Sequence, residues 1–225
     1  GRVFYAGELI TSRWLDLNAN GGMGGWTTTG PSHIWQFNRD YGSAVMYEAG
    51  RILSVGGGGD PNTNSPHDAT AATPTATAEI IDLNQASPTW QSTGSMASPR
   101  RHLNATTLPD GQVLATGGVS GGGFNDVTST AVRAAELWSP ATNQWTTLAS
   151  AQTDRGYHST ALLLPDGRVI TGGSGDANIP GTSTPYPRQT NHEIFEPPYL
   201  FRGARPTISS APTTVSYGET FQVNT

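Results

Sequence analysis

The stretch Ser159-Thr160-Ala161-Leu162-Leu163-Leu164-Pro165-Asp166-Gly167-Arg168-Val169-Ile170-Thr171-Gly172-Gly173 sets the fold class. Two short apolar runs flank Pro-Asp-Gly, and the second run ends on a glycine pair. Glycine accepts a positive φ without steric cost, so Asp-Gly between apolar runs closes a tight hairpin. A glycine pair at the end of a strand permits a bulge or a close backbone approach. The pattern occurs twice more upstream. Ala105-Thr106-Thr107-Leu108, Pro109-Asp110-Gly111, Gln112-Val113-Leu114-Ala115-Thr116 and Gly117-Gly118 form one copy. Ser43-Ala44-Val45-Met46-Tyr47, Ala49-Gly50, Arg51-Ile52-Leu53-Ser54-Val55 and Gly56-Gly57 form the other. The turn glycines at 50, 111 and 167 are 61 and 56 residues apart.

Each copy continues alike. After the glycine pair and a variable loop comes Glu79-Ile80-Ile81-Asp82, Glu136-Leu137-Trp138-Ser139 or Glu193-Ile194-Phe195-Glu196, and two copies then reach Trp90 or Trp145. Arg13-Trp14-Leu15-Asp16, ending at Trp26, fits the second half of a further copy. Four strands per unit at a period near ~50 residues are the signature of a kelch-type β-propeller. Three full units and a partial one are an incomplete ring. After Glu196-Pro197-Pro198 the pattern stops. Thr207-Ile208, Thr214 to Gly218 and Glu219 to Val223 then read as the first strands of an immunoglobulin-like β-sandwich. The expected division is therefore all-β, with propeller blades over 1–203 and the start of a sandwich over 204–225.

Composition excludes several classes. Lys + Arg number 12 against 17 Asp + Glu, a formal charge of −5, which leaves no basic surface for nucleic-acid phosphates. Charged residues are 13% of the 225, about half of the ~25% usual in globular proteins. No apolar run approaches the ~18 residues of a membrane-spanning helix. There is no cysteine, hence no disulfide, thiolate ligand or Cys nucleophile in this chain. Low lysine with abundant Thr, Ser, Gly and Asn suits a secreted β-protein, with any signal peptide outside this chain.

Chemistry concentrates in Asp154-Arg155-Gly156-Tyr157-His158-Ser159, just before the first strand of the last unit. On the residues alone, Tyr157-His158 is either a packed tyrosine beside a backbone-bonded histidine, or a phenol oxygen and an imidazole serving a metal such as copper. The other histidines, His33, His67 and His192, lack evident partners. Asp60, Asp68, Asp126 and Asp176 lack calcium-loop spacing. Arg100-Arg101 reads as a surface pair. Asn104-Ala105-Thr106 is a glycosylation sequon entering a strand, and Gly118-Val119-Ser120-Gly121-Gly122 is a nucleophile-elbow pattern with no helix after it.

Arg155 to Val169, Glu193 to Leu200 and Gly42 to Tyr47 resemble the corresponding stretches of the galactose oxidase and glyoxal oxidase family, the copper radical oxidases. The resemblance runs from about residue 35 to 225 in the family's order. It implies oxidation of a primary alcohol or aldehyde by O₂, with hydrogen peroxide as product, at a copper held by two His and two Tyr. It further implies Tyr157 as axial ligand and base and His158 as a copper ligand. Arg39, His102 and Phe124 are the expected substrate-binding residues. The family's radical tyrosine is thioether-linked to a cysteine, and this chain has neither a cysteine nor a stretch matching that tyrosine. The second His is expected beyond Thr225. The competing reading is a non-catalytic kelch propeller that binds carbohydrate or protein.

Overall fold

The computed structural model describes residues 1–59, 73–121, 125–175, 183–185 and 187–225. The chain is all-β, built of small antiparallel sheets that follow one another along the sequence. The first sheet has β1 (Arg2–Tyr5), β2 (Arg13–Asp16) and β3 (Gly25–Trp26), with the short helical turn α1 (Ala19–Gly22) before β3. Next come β4 (Ser43–Glu48), β5 (Arg51–Val55), the two-residue pair β6 (Gly58–Gly59) and β7 (Thr73–Pro74), then β8 (Ala78–Asp82) and β9 (Gln91–Ser92). The second sheet has the order β4-β5-β8-β9. β10 (Asn104–Thr107), β11 (Val113–Thr116), β12 (Ala134–Ser139) and β13 (Gln144–Ser150) form the third in sequence order, with α2 (Val127–Thr130) in its loop. The last sheet has β14 (Ser159–Leu163), β15 (Val169–Gly173) and β16 (His192–Phe195). Among the described residues no helix is long and apolar enough to cross a membrane.

The hairpins form as the Asp-Gly pattern demands. Gly50, Gly111 and Gly167 have φ of 75°, 81° and 85°. Asp110 and Asp166 each accept the backbone N–H two residues on, at 3.1 and 3.0 Å, which closes the turn.

The second and third sheets each face a neighbour on both sides, so their central strands are apolar at consecutive positions. Successive residues of a strand point to opposite faces. Ile52 accordingly joins Ile81 and Trp90 at the first junction, packed with Phe4, Ala6 and Leu83. Leu53 and Val55 turn the other way and meet Val113, Ala115 and Trp138 at the second. Leu114, on the opposite face of β11, joins Leu108, Ala135 and Val169 at the third, with Phe195 and Tyr199. Trp138 is fully buried at the second junction, whereas Trp26 is 54% exposed and seals no junction.

A polar device repeats with the strands. All 12 basic residues are arginines. Arg39 lies four residues before β4, Arg100 four before β10 and Arg155 four before β14. Their guanidinium groups donate to the carboxylates at the heads of the third strands, Arg39 to Glu79 and Arg100 to Glu136 at 2.5 Å each, and Arg155 to Glu193 at 3.4 Å. Each arginine also donates to a glycine carbonyl at or just after the end of the second strand, at Gly56, Gly117 or Gly173. Each glutamate accepts two consecutive backbone N–H groups, from Ile34 and Trp35, Ala97 and Ser98, or Gln152 and Thr153. The planar fork of arginine is suited to such multiple donation. Burial alone would push the Glu79 carboxyl up, but hydrogen bonds and charge from His33 and Arg39 outweigh it and hold the pKa at about 2.

The described residues bear on three expectations. Arg100 and Arg101 are fully buried rather than a surface pair, because each has an acid to pair with, Glu136 and Asp40 respectively. Arg39, expected to bind substrate, is only 2% exposed and donates to Glu79, Gly56 and Thr77, so it acts as an internal strut. Residues 204–225 hold no strand. They are exposed and make one antiparallel bridge, Ser210 with Asn224, since no sheet lies beside them to complete a strand's hydrogen bonds.

Candidate metal centre

The first strands of three sheets lie side by side, with β10 between β4 and β14. Ser43 Oγ accepts from Ala105 N at 3.2 Å, and Asn104 Nδ2 donates to Ser159 Oγ at 3.1 Å. That last bond commits the side chain of the sequon asparagine to the junction. The loops entering these strands therefore converge, and four rings meet where they do. Tyr41 and His102 lie 4.3 Å apart between centroids, Tyr41 and Tyr157 5.6 Å, and His102 and Tyr157 5.3 Å. Tyr157 and His158 are stacked at 3.7 Å. His102 is buried, Tyr41 and Tyr157 are half-buried, and His158 is exposed.

Strand register shows how three repeats make this cluster. Ser43 pairs with Val55, Asn104 with Thr116 and Thr160 with Gly172. With those pairs superposed, Tyr41, His102 and His158 are equivalent, and all three take a left-handed backbone with φ of 53°, 58° and 60°. Asp40, Arg101 and Tyr157 are the preceding equivalent set. The third repeat has one residue more than the others here, Gly156, between its arginine and Tyr157. A Cβ on Gly156 would run into Asn125 Oδ1 and Val127 Cγ1, so only glycine fits. The glycine pairs also shift. Gly56-Gly57 and Gly117-Gly118 correspond to Gly173-Ser174, one residue on from the pair Gly172-Gly173 that the sequence suggests.

Charges surround the cluster from one side. Asp40 and Arg101 form a buried ion pair across the second junction, and the Arg101 guanidinium lies 5.6 Å from the Tyr41 ring centroid. Burial, then the charge and hydrogen bond of Tyr157, push the Tyr41 phenol up to about 12, with Asp40 adding to the rise and Arg101 opposing it. Tyr41 is thus a neutral phenol at any physiological pH. The sequence reading missed it. Its signal was the spacing, an aromatic two residues after the repeat arginine, shared with His102.

The structure brings together Tyr157, His158 and His102 from the expected set and adds Tyr41. Arg39 lies inside the Glu79 pair. Phe124, like His67, Asp60, Asp68 and Asp176, lies outside the described residues. His33 is buried, stacked on Trp90 at 4.1 Å and bonded to Glu79 at 3.1 Å. Among the described residues no group of three or more His, Cys, Asp or Glu gathers, so the donors available are phenol oxygens and imidazole nitrogens. That mixture on consecutive, partly exposed residues fits copper as part of a ligand set.

Comparison with known proteins identifies relatives of this chain. The glyoxal oxidase N-terminus family matches residues 19–199. A galactose oxidase of Gibberella zeae is 33% identical over 246 aligned positions, covering 100% of this chain and 33% of that protein. The aldehyde oxidase GLOX1 of Arabidopsis thaliana is 32% identical over 152, covering 64% of this chain and 25% of that one. This chain thus spans a quarter to a third of these relatives. Among solved structures, a fungal alcohol oxidase of the AA5 family in complex with copper superposes with a TM-score of 0.77 at 28% identity, over 94% of this chain and 42% of that one.

Proposed function

Because the chain belongs to the glyoxal oxidase N-terminus family, we propose that it is part of a secreted copper radical oxidase. Its reaction converts a primary alcohol and O₂ to an aldehyde and hydrogen peroxide, or oxidises an aldehyde in the same way. In this proposal the repeated sheets over 1–203 are consecutive kelch blades of a propeller, and 204–225 begin an immunoglobulin-like domain. The chain has no cysteine, so the proposal draws the crosslinked radical tyrosine and the second histidine ligand from outside it.

The observation that carries the reading is the convergence of Tyr157 and His158 with His102 and Tyr41 at the end of three adjacent first strands. Bound there, copper would supply one-electron chemistry and lower the pKa of a coordinated phenol or alcohol. Tyr157 and His158 would hold it. A free phenol has a pKa near ~10 and is a poor base at neutral pH, but a coordinated Tyr157 oxygen can accept the substrate hydroxyl proton. Tyr41 keeps its own proton and so offers a donor toward Tyr157 without competing as a base. His102 lines the approach for the substrate carbon chain.

The test is made on the full-length protein, loaded with copper and oxidised. An absorption band of a copper–tyrosyl radical and peroxide release on a panel of alcohols and aldehydes are expected. Tyr157→Phe should reduce turnover by about 10²-fold or more, as loss of a positioned base does, and His158→Ala should abolish it. Absence of copper binding, with no peroxide from any substrate, would leave a propeller that acts by binding.

A further inference from the structure

Resting on that oxidase reading, we infer that Ser174 and Asn125 are the positioning residues of the metal-binding pair, a clamp on the backbone of Gly156 and Tyr157 that the other two repeats lack. In the first two repeats, the residue after the arginine forms a reciprocal backbone bridge. Asp40 N donates to Gly58 O at 3.0 Å and Gly58 N returns the bond at 2.9 Å. Arg101 and Val119 do the same at 3.0 and 2.9 Å. Tyr157 and Gly175 occupy those places in the third repeat and keep only half of the bridge, Gly175 N to Tyr157 O at 3.0 Å. The N–H of Tyr157 donates instead to Asn125 Oδ1 at 3.0 Å. The preceding N–H, of Gly156, donates to Ser174 Oγ at 2.9 Å.

Neither partner is explained by stability. Ser174 has φ of 128°, where the equivalent Gly57 and Gly118 have 85° and 98°. A side chain in that region is strained, and such strain clusters where function over-determines the backbone. The third repeat tolerates it and gains a buried hydroxyl aimed at Gly156. Asn125 is 1% exposed, and a backbone N–H can only donate, so Oδ1 must face Tyr157. Its Nδ2 is then buried without an acceptor among the described residues, an unfavourable arrangement for a residue kept for packing alone. Asn125 comes from the loop between β11 and β12, so the clamp reaches Tyr157 from the neighbouring repeat as well as its own. It fixes the two donors before any metal arrives.

Three variants of the full-length protein test this, Ser174→Gly, Asn125→Ala and Asn125→Asp. The readouts are Tm, affinity for Cu(II) by calorimetry, and hydrogen exchange at the Gly156 and Tyr157 amides in metal-free protein. Ser174→Gly relieves strain, so its Tm should hold or rise while copper affinity falls about 10-fold, the scale of losing an outer-shell partner. The Gly156 amide should exchange faster by a similar factor. Asn125→Ala should do the same at Tyr157, and Asn125→Asp, which keeps an acceptor oxygen, should recover most of the affinity. If Asn125→Ala does not fold, Ser174→Gly still decides. Wild-type copper affinity and amide protection in Ser174→Gly would overturn the clamp while leaving the oxidase reading intact. Failure of the wild type to bind copper would overturn both.

Discussion

The second and third repeats share a frame and differ in use. In the second, Arg100 and Glu136 are sealed at 2.5 Å with 0% and 1% of their side chains exposed. In the third, Arg155 and Glu193 stand 3.4 Å apart with Glu193 24% exposed. Where the second repeat places Arg101 in a buried ion pair with Asp40, the third places Tyr157. Where the second has Gly118 under the next strand, the third has Ser174. In the proposed reading, one inserted glycine and one serine convert a structural position into a chemical one. A repeated scaffold lets this happen, because the two sealed copies hold the frame while the third is altered.

The comparison can be broken at several points. Glu136→Ala leaves Arg100 buried without its acid and should destabilise by about 3–5 kcal/mol. Glu193→Ala should cost about 1–2 kcal/mol, since solvent reaches that pair. Urea denaturation of the two variants measures the difference, and equal losses would erase the distinction between the repeats. Acid should act on the first repeat. The Glu79 carboxyl is held at about 2, below its ordinary 4.5. A depressed carboxylate pKa contributes in full above the unfolded value and is lost as pH falls from 4.5 toward 2. That contribution is on the order of 3 kcal/mol. Stability should therefore drop across that window, and Glu79→Gln should flatten the profile. Gly118→Ser copies the third repeat into the second. Its Cβ would lie 2.6 Å from Arg101 O at a φ of 98°, so a loss of about 1–3 kcal/mol is expected in thermal denaturation. Tyr41→Phe removes one phenol hydrogen bond and should cost about 1 kcal/mol, with a wild-type midpoint counting against a Tyr41–Tyr157 bond.

The hairpins and third strands were legible because they rest on local rules. Asp-Gly fixes a turn, and Glu79, Glu136 and Glu193 mark equivalent strand heads. The arginine struts were not legible. Arg39 meets Glu79 and Arg100 meets Glu136 only after three strands have folded, so the charge looks exposed in sequence. The inserted Gly156 was hidden for a related reason. Gly172-Gly173 matches the other glycine pairs by letter, and only strand pairing shows that Gly173-Ser174 is the counterpart. Tyr157 and His158 stood out by residue type, with their copper roles implied by the resemblance, while Tyr41 required the register. The tail at 204–225 reads as strands by β-branched content, yet propensity without a partner sheet yields a single bridge.

The tryptophans give each junction its own optical signature. Trp90 at the first junction stacks on His33 and donates Nε1–H to Ser12 Oγ at 2.9 Å. Trp138 at the second lies buried with Tyr47 edge-on at 4.9 Å. The third junction, which carries the Tyr157 repeat, is packed with aliphatic side chains, Phe195 and Tyr199, and its cluster holds no tryptophan. Intrinsic fluorescence excited in the indole band therefore watches the first two junctions, with the exposed Trp26 as background, and has no reporter in the third cluster. A loosening confined to the third junction would pass unseen in such a melt, while a tryptophan introduced at Phe195 would light up that junction.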